Sequence, residues 1–249
     1  MSEGPSIAAL LPVHAQEAGV LRQALLSMLV QSRPLDQLVV VDDSGEGAYR
    51  LMVERMVAES GENCELIYVR NPRNLGLVES LNAGLAACGA DLVARMDADD
   101  IALPFRVEAQ ARMMARGYDL VGGGIVQFGQ KGLVPVRYPT NSLSMMGAFL
   151  KSNPFAHPAV MFRREAIVSL GGYRDVPHAE DLDLWVRCLG AGLKMCNLSL
   201  PVLMYRQHAQ QVSVQHHETQ LRAARAVRRR VASALWARWM GARVGQGGA

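Results

Sequence analysis

The sequence predicts an α/β fold, a mostly parallel sheet flanked by helices, and three observations carry that expectation. Short, uninterrupted apolar runs recur through the first half of the chain. Segments with helical apolar spacing separate them. A chain of 249 residues, half of them apolar, is long enough to cover both faces of such a sheet.

Ile7–Val13 and Leu38–Val41 are apolar throughout, Leu66–Val69 and Leu92–Met96 are similar, and continuous runs of this length suit strands buried on both faces. Between the first two, Leu21, Leu25, Met28 and Leu29 repeat at helical spacing. Leu77, Leu81, Leu85 and Cys88 do so between the third and fourth, with Gly89 as a stop. Pro104 opens a further helix whose buried side is Phe105, Val107, Ala111 and Met114. The alternation argues right-handed crossovers in a doubly wound layout. In the second half, Asp119–Phe128 reads as a strand containing the triplet Gly122–Gly124, which implies either close approach of another backbone or ligand, or a sheet bend. His157–Arg163 reads as a strand, Glu180–Leu189 as a helix and Pro201–Arg206 as a last strand. The expected division is one mixed α/β domain over 1–215 and a basic helical tail over 216–249 with a flexible Gly-rich end.

Composition excludes several classes. A fifth of the residues are charged and no low-complexity tract occurs, so the chain is not a disordered one. No apolar stretch reaches the ~18 residues of a membrane-spanning helix. The first residues lack the basic start of a secretory signal, and Cys64, Cys88, Cys188 and Cys196 show no CxxC spacing, so a reducing cytoplasm is expected. The net charge of +3 is uneven: residues 218–249 carry +6, the preceding 217 carry −3. Leu221, Ala224, Val227, Val231, Leu235 and Trp239 form one stripe of a helical tail edged by arginines. Two readings stand: a peripheral contact with an anionic membrane, or packing on the domain or on a second subunit as in a homodimer. Nucleic acid is not an expected partner, since no recognition motif accompanies the charge.

Ligands of open α/β sheets bind outside the carboxyl ends of the strands. Asp42 and Asp43 follow one run and Asp97-Ala98-Asp99-Asp100 follows another. Three carboxylates in four residues repel one another unless a cation or a hydrogen-bonding ligand sits among them, and hard oxygen donors suit Mg²⁺ or Mn²⁺. A solvated turn with Asp100 capping the next helix is the plainer alternative. No GxGxxG or GxxxxGK[ST] loop follows Val13, which disfavours dinucleotide dehydrogenases and P-loop enzymes. A second acidic group, Glu180-Asp181-Leu182-Asp183, opens a helix and has an ordinary capping reading when taken alone.

Taken in order, these segments resemble the family 2 glycosyltransferases of bacterial surface-polysaccharide synthesis, which have the GT-A (Rossmann-like) fold. The motifs are Pro12-Val13-His14, Val39-Val40-Val41-Asp42-Asp43-Ser44, Asn74-Leu75-Gly76, the Asp97–Asp100 turn, Glu180-Asp181-Leu182-Asp183-Leu184-Trp185 and Tyr205-Arg206-x-His208. One departure is His14-Ala15, where many relatives carry Tyr-Asn. The resemblance implies an inverting, non-processive, metal-dependent transfer of a sugar from a nucleotide-sugar donor, a UDP-sugar, to a saccharide acceptor on a lipid carrier. It places the donor near Pro12, Val13, His14, Asn74 and Gly76, its base on Asp43 (or Asp42), its ribose on Asp97, and a Mn²⁺ or Mg²⁺ on Asp99 with Asp100. Asp181, beside Glu180, becomes the general base, and His157, Trp185 and His208 line the acceptor or metal side. The rivals are a sugar-phosphate nucleotidyltransferase, whose Gly-rich basic signature Ala8–Gly19 lacks, and a non-catalytic nucleotide- or sugar-binding module.

Overall fold

In the computed structural model, residues 4–61, 63–130, 132–207, 217–231 and 233 are described. Nine strands form one sheet: β1 (Ile7–Val13), β2 (Gln37–Asp42), β3 (Glu65–Arg70), β4 (Leu92–Arg95), β5 (Ile101–Ala102), β6 (Leu120–Gly129), β7 (Gly132–Val136), β8 (Met161–Arg163) and β9 (Met195–Arg206). The order is β3-β2-β1-β4-β8-β6-β9-β5, with β7 on β6. Pairings among β1–β4 are parallel, as is β6–β9, whereas β8, β5 and β7 join antiparallel. The helices are α1 (Ala18–Leu29), α2 (Arg50–Ser60), α3 (Leu77–Ala87), α4 (Arg106–Met114), α5 (Ser142–Lys151), α6 (Arg164–Ser169), α7 (Glu180–Gly190) and α8 (His217–Arg228).

The apolar runs are explained by burial on two sides. In β1, Ile7, Ala9, Leu11 and Val13 enter one core, while Ala8 and Leu10 enter the other. The first core is closed by Leu21, Leu25 and Met28 of α1, Val53 of α2, and Val107 and Met114 of α4. The second is closed by Leu81 and Leu85 of α3, Phe149 of α5, and Leu184, Trp185 and Leu189 of α7. Gly84 lets α3 lie directly on β1 and β2, since a Cβ there would collide with the Leu10 side chain.

The Gly triplet is resolved as close approach by β9 rather than by a ligand. A Cβ on Gly122 would meet the Asn197 amide and the Phe155 ring, and one on Gly123 would meet Val202. The β6–β9 register slips on both sides of Gly124. β9 begins at Met195, earlier than the apolar run from Pro201 suggests, because Cys196 and Asn197 pair with the glycine-bearing part of β6. Residues 157–163 divide into a 3₁₀ turn, His157–Ala159, and the short strand β8. No helix among the described residues is long and apolar enough to cross a membrane.

The start of the tail packs on the domain. Ala224, Val227 and Val231 are buried in the second core, and α8 lies against α7. Asp183, 1% exposed, accepts from Arg187 Nε at 2.8 Å and from Arg230 Nη2 at 2.7 Å. Arg187 also donates to the carbonyls of Leu170 and Gly172, so this carboxylate ties α7, α8 and the turn after α6 together. Trp236, Trp239 and the rest of the expected membrane-contact segment lie outside the described residues. Removing one partner of a buried pair leaves a charge uncompensated, so Asp183→Ala should lose about 3–5 kcal/mol of unfolding free energy in urea titrations. Arg230→Ala, whose side chain is half in solvent, should lose only ~1 kcal/mol or less. Equal losses in the two variants would contradict this division of the network.

Candidate functional site

The acidic turn sits at the carboxyl end of β4. Asp97, Asp99 and Asp100 bring one carboxylate oxygen each within 4.8 Å of one another. The end of β9 clasps the turn: Arg206 N–H donates to Asp100 Oδ1 at 2.9 Å and its Nε to the Asp99 carbonyl at 2.8 Å. The Arg206 guanidinium in turn donates to Gln23 Oε1 at 2.8 Å and lies 4.6 Å over the Phe128 ring. Asp100 is fully buried and its Oδ2 has no partner among the described residues. Burial, reinforced by Asp97 and Asp99, pushes its carboxyl well above the usual carboxylate range. A crowded oxygen donor set of this kind, with an unsatisfied buried oxygen, fits a hard divalent cation.

Beneath the turn lies a residue the sequence reading passed over. Arg95, 1% exposed, donates to Asp97 Oδ1 at 2.5 Å, and its Nε and Nη1 find no partner among the described residues. A second buried guanidinium, Arg106, donates to the carbonyls of Arg95 at 2.6 Å and Val160 at 3.3 Å and to Gln110 Oε1 at 3.2 Å. Burial pulls Arg106 down to about 9. The available signal was an arginine inside the otherwise apolar run Leu92–Met96, since charge in a buried strand is rare unless it is paired.

The second acidic pair opens α7. His178 precedes it in the left-handed region at φ 58°, a conformation that costs energy in a non-glycine residue. Asp181 Oδ2 accepts from Asn153 Nδ2 and its Oδ1 from the Leu182 N–H, both at 2.6 Å. Burial and the neighbouring Asp181 raise Glu180 to about 7, and burial likewise raises Asp181, while the positive charge of Arg95 opposes both shifts. Arg95 therefore acts electrostatically on both acidic groups.

Several expected contacts are relocated. Trp185 is fully buried, its ring edge-on to Phe155 at 5.7 Å and to His157 at 6.0 Å, so it packs the core instead of lining acceptor space. His157 shares a 3.1 Å hydrogen bond with the Tyr173 hydroxyl. Burial and Arg95 push its imidazole well below the ordinary value, so it is neutral and set beneath the site. Val13 points into the first core rather than toward a donor. Asp42 is also internal: its oxygens accept from Ser44 N at 2.8 Å and Tyr68 OH at 2.5 Å. Burial opposes its ionisation, but these bonds outweigh it and hold the carboxyl below the usual value. Asp43 accepts from Asn71 Nδ2 at 2.6 Å and from the N–H groups of Leu75 and Gly76 at 2.8 and 2.9 Å. Most of its hydrogen-bonding capacity thus shapes the loop before α3 and is not free for a base.

His14 completes that loop, its Nδ1 3.0 Å from the Asp43 carbonyl and its Nε2 3.2 Å from Asn74 Nδ2. Gly76 turns the chain into α3 at φ 89°. Pro12 is partly exposed beside this loop. His208 lies outside the described residues.

Glu180 yields a stability test. An ordinary glutamate titrates near 4.5, whereas the folded protein holds this proton to about 7. Between those values the unfolded chain has released a proton that the folded one retains, so stability falls as pH rises through that window. Glu180→Gln should flatten the fall in melting temperature between pH 5 and about 8 and match the parent near pH 4. An unchanged profile would show that Glu180 titrates normally.

Comparison with known proteins fits this geometry. Residues 9–170 match the family described as Glycosyl transferase family 2. The amylovoran biosynthesis glycosyltransferase AmsE of Erwinia amylovora is 33% identical over 181 residues, 72% of this chain and 67% of that protein. A UDP-Gal:alpha-D-GlcNAc-diphosphoundecaprenol beta-1,3-galactosyltransferase of Escherichia coli is 27% identical over 200 residues, 78% of this chain and 70% of that one. The mannosyltransferase PcManGT from Pyrobaculum calidifontis, solved with GDP-Man and Mn²⁺, aligns over 100% of this chain and 77% of its own with a TM-score of 0.65 at 17% identity, a likeness of fold. With acidic groups at the carboxyl edge of a GT-A sheet and a family match over most of its length, the chain belongs to the family 2 glycosyltransferases.

Proposed function

We propose that this glycosyltransferase moves a sugar from a UDP-sugar to a hydroxyl of a surface-polysaccharide intermediate by a single, inverting displacement. The observation that carries the reading is the pair of acidic groups, Asp97/Asp99/Asp100 and Glu180/Asp181, both under the influence of one buried guanidinium, Arg95. One group suits the donor's diphosphate and the other suits an acceptor's proton. The AmsE and galactosyltransferase relatives support the polysaccharide context, and the latter's printed donor and acceptor support UDP and a lipid-linked saccharide.

Asp99, with Asp97 and Asp100, would hold the divalent cation, Mn²⁺ or Mg²⁺, whose charge offsets that of the departing nucleoside diphosphate. The loop tied together by Asp43, His14 and Asn74 borders the nucleoside, and Pro12 forms its floor. The acceptor oxygen forms a bond to the anomeric carbon as the bond from that carbon to the diphosphate oxygen breaks. The hydroxyl proton passes to Asp181, and the nucleoside diphosphate leaves with the electron pair. Asn153 fixes the Asp181 carboxylate for this task, and attack opposite the leaving group inverts the anomeric centre. Glu180 sharpens the pH response, because its ionisation beside Asp181 is displaced toward neutrality.

Two variants separate the roles. Asp99→Asn should abolish Mn²⁺-dependent binding of UDP in calorimetry while preserving the melting temperature, and parent-like binding would remove Asp99 from the metal site. Asp181→Asn should lower kcat by about 10²–10⁴-fold with donor affinity retained. Unaltered turnover would exclude Asp181 as the base.

A further inference from the structure

The described part of the tail does more than cover the second core. Between the C-terminal end of α5, the start of α7 and α8 lies a cleft of about 300 Å³. Its walls include Lys151 and Asn153 from α5 and the turn after it, Asp181 from α7, and Leu221, Ala224 and Arg228 from α8. The cleft reaches the carboxylate assigned above as the base, so it is where an acceptor hydroxyl must be delivered.

Two cations line this cleft without an anionic partner among the described residues. Arg228 makes no ion pair or hydrogen bond to a described residue, and its buried Nε has no partner among them. Lys151 likewise has no carboxylate among the described residues. The contrast with nearby arginines is informative, since Arg187 and Arg230 are paired with Asp183 and Arg222 is paired with Glu218. Beside the free cations the wall is apolar, formed by Leu221, Ala224 and Leu182. A fork-shaped guanidinium and an ammonium next to apolar side chains match a phosphate ester attached to an apolar or glycosyl group.

We propose that the cleft between α5, α7 and α8 is the acceptor subsite of this chain, and that Lys151 and Arg228 select an acceptor bearing a phosphate or diphosphate next to the sugar that is modified. The proposal rests on the functional reading above and names the class of its acceptor. α8 is then a wall of the active site, and Asp183, through Arg230, fixes where that wall stands.

The test uses the full chain in EDTA, where metal-dependent diphosphate binding at the donor site is absent. Undecyl diphosphate, undecyl β-glucoside and glucose 1-phosphate are titrated by calorimetry. The parent should bind undecyl diphosphate at least about tenfold more tightly than the neutral glucoside, the effect of one or two charge-assisted hydrogen bonds. The Lys151→Gln/Arg228→Gln double variant should lose most of that preference, and Asp99→Asn should keep it. Each single variant should lose part, so the test survives if the double variant is unstable. A preference shared by glucose 1-phosphate identifies a soluble sugar phosphate as the source. One confined to undecyl diphosphate identifies a lipid carrier. No preference in the parent, or one that survives in the cation variants and vanishes in Asp99→Asn, overturns the proposal. Failure of the functional reading shows separately, as absence of Mn²⁺-dependent UDP binding by the parent.

Discussion

The site depends on a charge placed where charge is expensive. Arg95 stands in a strand with helices over both faces, and a lone guanidinium there would cost several kcal/mol of desolvation. Its contact with Asp97 and the surrounding carboxylates offset that cost. The dependence runs both ways, because Asp97, Asp100 and Asp181 are themselves partly or wholly withdrawn from water. Arg106 lies under the same strand and donates to the Arg95 carbonyl, so the backbone at the end of β4 is held from below as well. The functional edge of the sheet is thus a coupled cluster of opposite charges, with carboxyl groups in excess, rather than a row of independent acids.

Much of the fold was legible because both-face burial writes itself into the sequence as apolar runs; β1 and most of β2 are such runs, and β4 is one up to Arg95. β3 is less buried at the sheet edge, and its alternating Leu66 and Tyr68 still pack on the first core. The antiparallel additions were harder to read. β5 has two residues, and β8 three, too few for any period to show. The start of β9 was hidden because Asn197 and Ser199 interrupt its apolar pattern. Asn197 instead uses its amide to donate to the carbonyls of Pro139 and Pro154.

The acidic turn and the acidic start of α7 were visible as clustered like charges. Which way a neighbouring side chain points was not. Asp42 and Asp43 are adjacent and alike in sequence, yet one is locked by Tyr68 and the other ties down the loop at Leu75 and Gly76. Trp185, one residue after Leu184 on a helix buried over most of its circumference, carried no mark separating a core ring from a ligand-facing one. Asn153 and Arg206 act through hydrogen bonds to elements far away in sequence, and no local spacing encodes such partners.

The glycine triplet has a mechanical meaning for the acidic turn. β9 reaches Arg206, the clasp on Asp99 and Asp100, only after running past Gly122–Gly124 and slipping its register on either side of Gly124. The slip sets how far β9 has advanced along β6 when it arrives at the turn. β6 and β9 therefore behave as a rack whose missing teeth are the three absent side chains. A tooth added at Gly123 would stand 2.8 Å from the Val202 side chain, so the fit between β6 and β9 that leads to the clasp would have to readjust. The reach of the acidic turn is in this sense metered by residues that bear no functional group at all.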